Sequence, residues 1–290
     1  MTRPRDNPLL VLRKILVALD ASKSSLAALD AAVELAASME AELQGVFVED
    51  TELLRAADSP FAREIAYPYN RPAPLDRSMV ERNLRSQAET ARTALAGAAQ
   101  KARVPWSFRS VRGQVTPELL AAAEAAEADL IAVGRLGWKQ GRTLLGSTAR
   151  DLSGCPVPIL LLSEKGMPRS RHPVVYFDEA SPDDTRRALQ FAAELAAPDS
   201  GNLTILLPAA TSAHADSLRQ QAHEMIAGIP DLQIRYRLLN PADPDSLMAM
   251  MRLIPNALLI IGGEDPLESL PALQSILCET SVPLLLVRKP

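Results

Sequence analysis

Lys14-Ile-Leu-Val-Ala-Leu-Asp20-Ala-Ser22-Lys-Ser24-Ser25 is a short apolar run that ends on a carboxylate and passes into a serine-rich turn. A run this short and this apolar suits a strand buried on both faces, with the turn opening a helix. The helix is expected over Leu26 to Met39, where Leu29, Val33 and Leu35 or Ala36 recur near the 3.6-residue period among many alanines. A second strand, Glu42 to Val48, follows with no room for a hairpin. Strand, helix and strand in that order demand a parallel sheet with a right-handed crossover. Further along, Trp106 to Val111 alternates like a strand. Thr116-Pro117-Glu118 predicts a helix start, with Thr116 as N-cap and Pro117 at N1. Asp129 to Val133 reads as a buried strand, and Val157 to Leu162 closes a set of five.

After a basic linker containing Pro and Gly, Glu164 to Pro173, the order restarts with Val174-Val-Tyr-Phe-Asp178, again a strand ending in aspartate. Ser181-Pro182-Asp183-Asp184 caps a helix through Leu195, so these acids, with Asp178, read as capping groups rather than catalytic ones. Strands follow at Asn202 to Leu207, Gln233 to Leu239 and Ala257 to Ile261, and Val282-Pro-Leu-Leu-Leu-Val287 mirrors Val157-Pro-Ile-Leu-Leu-Leu162. The chain is therefore an internal repeat: domain one over residues 1–165 and domain two over 172–290. The fold class is α/β, two tandem doubly wound parallel five-stranded sheets with flanking helices, Rossmann-like. Domain one carries an insertion at about 50–80. There Pro60, Pro68, Pro72 and Pro74 accompany Phe61, Tyr67 and Tyr69, ahead of a long helix from Leu75 to Lys101. A structural covering loop is the plainer reading of the insertion, with a lid or a partner surface as alternatives.

The length of 290 residues suits two cores, and 47% hydrophobic with 23% charged residues argues against disorder. The 31 basic and 35 acidic residues are mixed without runs, which argues against nucleic acid as a partner. No segment has the length and apolarity of a membrane span, and Asp6 and Asn7 precede only a short apolar stretch, so a cytoplasmic protein is expected. Cys155 and Cys278 read as reduced structural thiols, and His172, His214 and His223 as surface histidines without metal spacing.

The chemistry concentrates in Gly134-Arg-Leu-Gly137-Trp-Lys-Gln-Gly-Arg-Thr-Leu-Leu-Gly146-Ser147-Thr148. Glycines let backbone N–H groups approach an anion, Ser147 and Thr148 offer hydroxyls, and a helix starting near Gly146 turns its positive end to the same place. Lys139 and Arg142 add positive charge. At the corresponding place domain two has Gly262-Gly263-Glu264-Asp265-Pro266-Leu-Glu268, three carboxylates that would repel an anion, and it has no Gly-Ser or Gly-Thr before its last helix, Leu270 to Cys278. Domain two reads as a structural partner.

Terminal Asp20, the strand ending at Val48, Gly134-x-x-Gly137, Gly146-Ser147 and the Cys155-Pro-Val-Pro lead into the last strand together resemble the universal stress protein family, in a tandem form. The similarity covers residues 12–163 and, more faintly, 172–290. It implies an adenine nucleotide alpha hydrolase-like fold whose halves pair through their last strands as an internal pseudo-dimer, with further homo-oligomerisation as an option. It also implies ATP or a related adenine nucleotide, with Mg²⁺ accompanying it. Asp20 and Val48 would contact adenine or ribose, Gly134 and Gly137 would border ribose and phosphates, and Gly146, Ser147 and Thr148 would bind the phosphates. Only eight residues separate Gly137 from Gly146, one fewer than in the family's pattern. Asp20 reads equally as a helix cap, and Val48 equally as sheet core.

There is no Gly-x-Ser-x-Gly elbow and no P-loop, and no catalytic residue or metal ligand stands out. The expectation is a stress-response sensor or adaptor with an unidentified protein partner. A ligand-free scaffold, or a weak ATPase that phosphorylates itself on Ser147 or Thr148, remains open.

Overall fold

The computed structural model describes residues 12–288 except 60, 67–70, 140–141, 153, 197–200, 228, 230–231, 244 and 264–269. The first half runs β1 (Lys14–Ala18), α1 (Lys23–Met39), β2 (Glu42–Asp50), α2 (Thr51–Ala57), β3 (Arg63–Ala66), β4 (Arg71–Pro74), α3 (Arg77–Ala102) and β5 (Trp106–Gly113). It continues through α4 (Val115–Ala126), β6 (Leu130–Gly134), β7 (Leu136–Lys139), β8 (Arg142–Leu145), α5 (Ser147–Leu152) and β9 (Ile159–Leu162). The second half runs β10 (His172–Tyr176), α6 (Pro182–Ala196), β11 (Asn202–Pro208), α7 (Ser212–Met225), β12 (Gln233–Leu239), α8 (Ser246–Leu253), β13 (Ala257–Gly262), α9 (Pro271–Glu279) and β14 (Leu284–Val287).

The strands form one ten-stranded sheet in the order β12-β11-β10-β13-β14-β9-β6-β1-β2-β5. Neighbours within each half are parallel, as the strand–helix–strand order requires. The halves meet where β14 runs antiparallel to β9, with Leu284 opposite Leu161, Leu285 opposite Leu160 and Leu286 opposite Ile159. Each half taken alone has the doubly wound order 3-2-1-4-5, and the two are related across that central pair by an approximate two-fold. The pairing through last strands implied by the resemblance is thus present, and it turns two five-stranded sheets into one.

Ile15, Leu16 and Val17 are wholly buried because helices cover both faces of β1. One core holds Ile15, Val17, Leu160, Leu162, Leu258 and Leu285; the other holds Leu16, Ile131, Ile159, Leu161, Leu259 and Leu284. Both cores run through the β9–β14 seam. At about 1.5–3 kcal/mol for each fully buried Leu or Ile, the seam is a major source of stability.

Several expectations are corrected. The insertion adds a short helix, α2, and an antiparallel hairpin, β3–β4. Helix α3 begins at Arg77 because the Asp76 carboxylate accepts the Ser78 N–H, which places Leu75 outside it. Helix α4 begins at Val115 with Gln114 at its N-cap, which makes no side-chain cap bond. The Thr116 hydroxyl lies 3.3 Å from Asp151 of α5 instead. His172 is half-buried in β10, its Nε2 2.8 Å from the Thr204 hydroxyl, and burial, followed by the Arg235 charge, lowers its pKa. Pro60 and residues 67–70, with Tyr67 and Tyr69, fall outside the described residues, as do Glu264, Asp265 and Glu268. No described helix is long and apolar enough to cross a membrane.

Gly97 sits exposed inside α3, and a Cβ there would meet nothing within 4 Å. Gly97→Ala is expected to stabilise the chain by about 0.5–1 kcal/mol through helix propensity and reduced unfolded-state entropy, read as a raised denaturation midpoint. A lowered midpoint would contradict it.

Candidate functional site

In a doubly wound sheet the crevice lies beyond the carboxyl ends of the strands where the order reverses. In the first half that point is between β1 and β6, so Asp20 after one strand and Gly134 at the end of the other flank it. A cleft of ≈ 260 Å³ opens there. Its walls are apolar: Ala18 and Leu19 from the β1 end, Val46 and Val48 from β2, Val115 and Leu119 from α4, and Val133 from β6. Its polar groups are Asp20, Ser24 and Ser25 on one side and Gly146, Ser147 and Thr148 on the other.

Asp20 owes its place to a turn. Its Oδ1 accepts the Ser22 N–H at 2.9 Å, and Ala21 between them takes the left-handed conformation, φ 60°. Ser22 then caps α1 by accepting the Ser25 N–H. Asp178 repeats the arrangement in the second half, where its Oδ1 accepts the Ala180 N–H at 3.0 Å. The strand-terminal aspartate is thus first a turn residue, and at Asp20 the residue remains exposed.

Gly134 has a fold reason as well. A Cβ on it would lie 2.7 Å from Ser24 Oγ and 2.8 Å from the Ser24 carbonyl carbon, because α1 crosses directly over the end of β6. Gly262 stands in the same relation to α6: a Cβ there would lie 2.5 Å from the Asp184 carbonyl carbon.

The Gly134-to-Gly146 stretch is not an open phosphate loop. Leu136–Lys139 and Arg142–Leu145 pair as an antiparallel hairpin, with Gly137 opposite Leu144. The hairpin packs against α9 of the second half. The Gly146 N–H donates to the Arg135 carbonyl at 2.9 Å and so is committed within the protein. The Gly146 carbonyl accepts from the Arg150 N–H, which leaves the Ser147, Thr148 and Ala149 amides without acceptors inside α5. The side chains of Lys139 and Arg142 lie outside what the structure describes.

Six of the seven expected site residues, Asp20, Val48, Gly134, Gly146, Ser147 and Thr148, therefore meet around one cleft. Ser24, Ser25, Val46, Val115, Leu119 and Val133 join them without having been singled out. The serine-rich turn pointed to the first two, but nothing local marks α4 as the facing wall.

In the second half Tyr176 holds the position of Ala18, as the registers Ala18 with Val46 and Tyr176 with Leu206 fix. The half-buried ring stands on the face that Ala18 leaves open, and burial, then the Asp178 charge, raises its pKa. The last helix there starts with Leu270 and Pro271 and has no capping hydroxyl.

A polar end, an apolar slot and a second polar end suit a planar heteroaromatic group bearing hydroxyls or phosphate. The Asp20 carboxylate can accept from hydroxyl or amino groups, and the α5 amides with Ser147 and Thr148 can donate to an anion. Among the described residues no cluster of three or more His, Cys, Asp or Glu is placed to hold a metal.

The profile of the universal stress protein family matches residues 12–163. No curated protein sequence matches significantly. A universal stress protein from Archaeoglobus fulgidus has a similar structure, with TM-score 0.69 and 15% identity over 96% of this chain and 98% of that one. The cytoplasmic domain of a prokaryotic cation chloride cotransporter is similar at TM-score 0.56 and 16% identity, over 95% of each chain. A protein of the universal stress protein family from Burkholderia pseudomallei is 31% identical over 43% of this chain and 83% of its own, with TM-score 0.31.

Proposed function

This chain belongs to the universal stress protein family, and on that premise we propose that its first half binds ATP or a related adenine nucleotide and serves as a stress-response sensor or adaptor. The observation that carries the reading is the switch-point cleft, apolar between Val46, Val48, Val115 and Val133, with Asp20 at one end and the start of α5 at the other. Adenine would lie between the valines and ribose hydroxyls would reach Asp20. Phosphate would meet the Ser147 and Thr148 amides and hydroxyls. Gly134 and Gly137 would border ribose and phosphates, and Gly146 would join Ser147 and Thr148 in binding the phosphates. Residues 1–165 and 172–290 are the two domains of this reading, with the second as the structural partner.

The reading is binding rather than turnover: among the described residues no hydrogen bond joins a carboxylate or imidazole to the Ser147 or Thr148 hydroxyl. A ligand-free scaffold is the second reading. It is favoured by the Gly146 N–H already being bonded to Arg135 and by the hairpin being docked on α9.

Thermal unfolding with and without millimolar ATP and Mg²⁺ separates the two, with Gly146→Asp as control, because that carboxylate would oppose an anion at α5. Ligand at ~100 Kd raises stability by about 2.7 kcal/mol. A shift in the wild type that the variant lacks is the expected result. No shift with ATP, ADP, AMP or cyclic AMP would leave the scaffold reading.

A further inference from the structure

Arg135 follows the strand-terminal Gly134 and is fully buried, at 0% exposure. Burial pulls its pKa down to about 10, with the nearby Cys278 opposing the shift. Carbonyls of the other half receive the guanidinium: Nη1 donates to Val282 O at 2.7 Å and Nη2 donates to Thr280 O. Both acceptors lie between α9 and β14. Its main chain is equally engaged. The Arg135 N–H donates to Leu162 O at 2.8 Å, and the Arg135 carbonyl accepts the Gly146 N–H at 2.9 Å. One residue thus joins the glycine that opens α5 at the cleft, the last strand of the first half, and the turn before the last strand of the second. The packing of β8 on α9 runs alongside.

The equivalent position of the second half carries no such side chain. Gly263 holds Arg135's position there and has no side chain, while Arg288 donates Nε to the Gly263 carbonyl at 3.0 Å within its own half. The Arg135 connection runs from the cleft side of the first half to the Thr280–Val282 turn of the second.

We propose that Arg135 is a positioning residue that couples the cleft to the second half, so that whatever orders the backbone from Gly134 to Gly146 also orders the Thr280–Val282 turn and β14. A buried planar guanidinium cannot slide while keeping both carbonyls, so its shifts are stepwise and are passed on. The ligand-dependent arm of this inference rests on the nucleotide reading above; the ligand-free arm does not. Coupling between sites commonly amounts to roughly 5–150-fold.

The test is amide hydrogen exchange on the full chain, comparing wild type, Arg135→Met and Arg135→Lys, each with and without ATP and Mg²⁺. Without nucleotide, Arg135→Met is expected to speed exchange roughly tenfold both at 146–149 and at 280–287, leaving β11 unchanged. Arg135→Lys, which keeps a charged donor, should fall between. With nucleotide, wild type should gain protection at both segments and Arg135→Met only at 134–149. Acceleration confined to 280–287 would make Arg135 a local bolt and overturn the coupling, as would wild-type protection that stops at the cleft. Absence of ATP protection anywhere would overturn the nucleotide reading instead, with the ligand-free comparison still deciding the coupling.

Discussion

Residues 1–165 expressed without the second half are expected to self-associate, chiefly as a dimer and at higher concentration as aggregate. In the full chain one edge of β9 is covered by β14, with Leu160 and Leu161 opposite Leu285 and Leu284. All four residues of β9 are buried, and both cores pass through them. Removing β14 uncovers a row of unpaired backbone groups flanked by apolar side chains, the arrangement most prone to strand addition. The readiest cover is the same strand of a second copy. Because β14 meets β9 antiparallel and about an approximate two-fold, Ile159-Leu-Leu-Leu162 can take the place of Leu284-Leu-Leu-Val287, giving an isologous dimer. Sedimentation or light scattering beside far-ultraviolet circular dichroism checks this. A monomer with native helix and strand content would show that β9 needs no partner and would overturn the prediction.

Gly262→Ala and Gly134→Ala are expected to be strongly destabilising, each by about 1–3 kcal/mol or more, with Gly262→Ala the worse. At Gly262 the new Cβ would meet only main chain, 2.5 Å from Asp184 C and O and 2.8 Å from Thr185 N, so α6 itself must lift from the sheet. At Gly134 one of the close atoms is the Ser24 hydroxyl, which can rotate, while the Ser24 carbonyl carbon at 2.8 Å cannot. Scanning calorimetry should show both melting well below wild type and Gly97→Ala at or above it. A Gly134→Ala protein that melts like wild type but loses nucleotide binding would mean that the glycine serves the ligand and not the crossing of α1 over β6.

These two glycines show how far a repeat can be read as chemistry. Gly134 was legible as part of a phosphate-type string, yet its partner Gly262 lies beside no such string and has the same steric need. What the halves share, Asp20 with Asp178 and Gly134 with Gly262, follows from a turn and a helix crossing. What they do not share, Ser147 and Thr148 at α5 and Ala18 against Tyr176, is where function has to be sought.

The sequence by itself determined the parallel βαβ order, the tandem division and six of the cleft's described residues, while the family resemblance supplied the last strands as pairing edges. Apolar period, turn chemistry and repetition are local properties, readable without the fold. Only the tertiary structure decided that the glycine stretch is a hairpin docked on α9, that the Gly146 N–H is already used, that Thr116 serves Asp151 rather than a cap, and that α4 walls the cleft. It also decided the place of Arg135, whose side chain reaches Thr280 and Val282 across roughly half the chain's length. A charged residue after a strand gives no local sign of burial, because the carbonyls that accept its protons come from another domain and are brought there by the β9–β14 pairing.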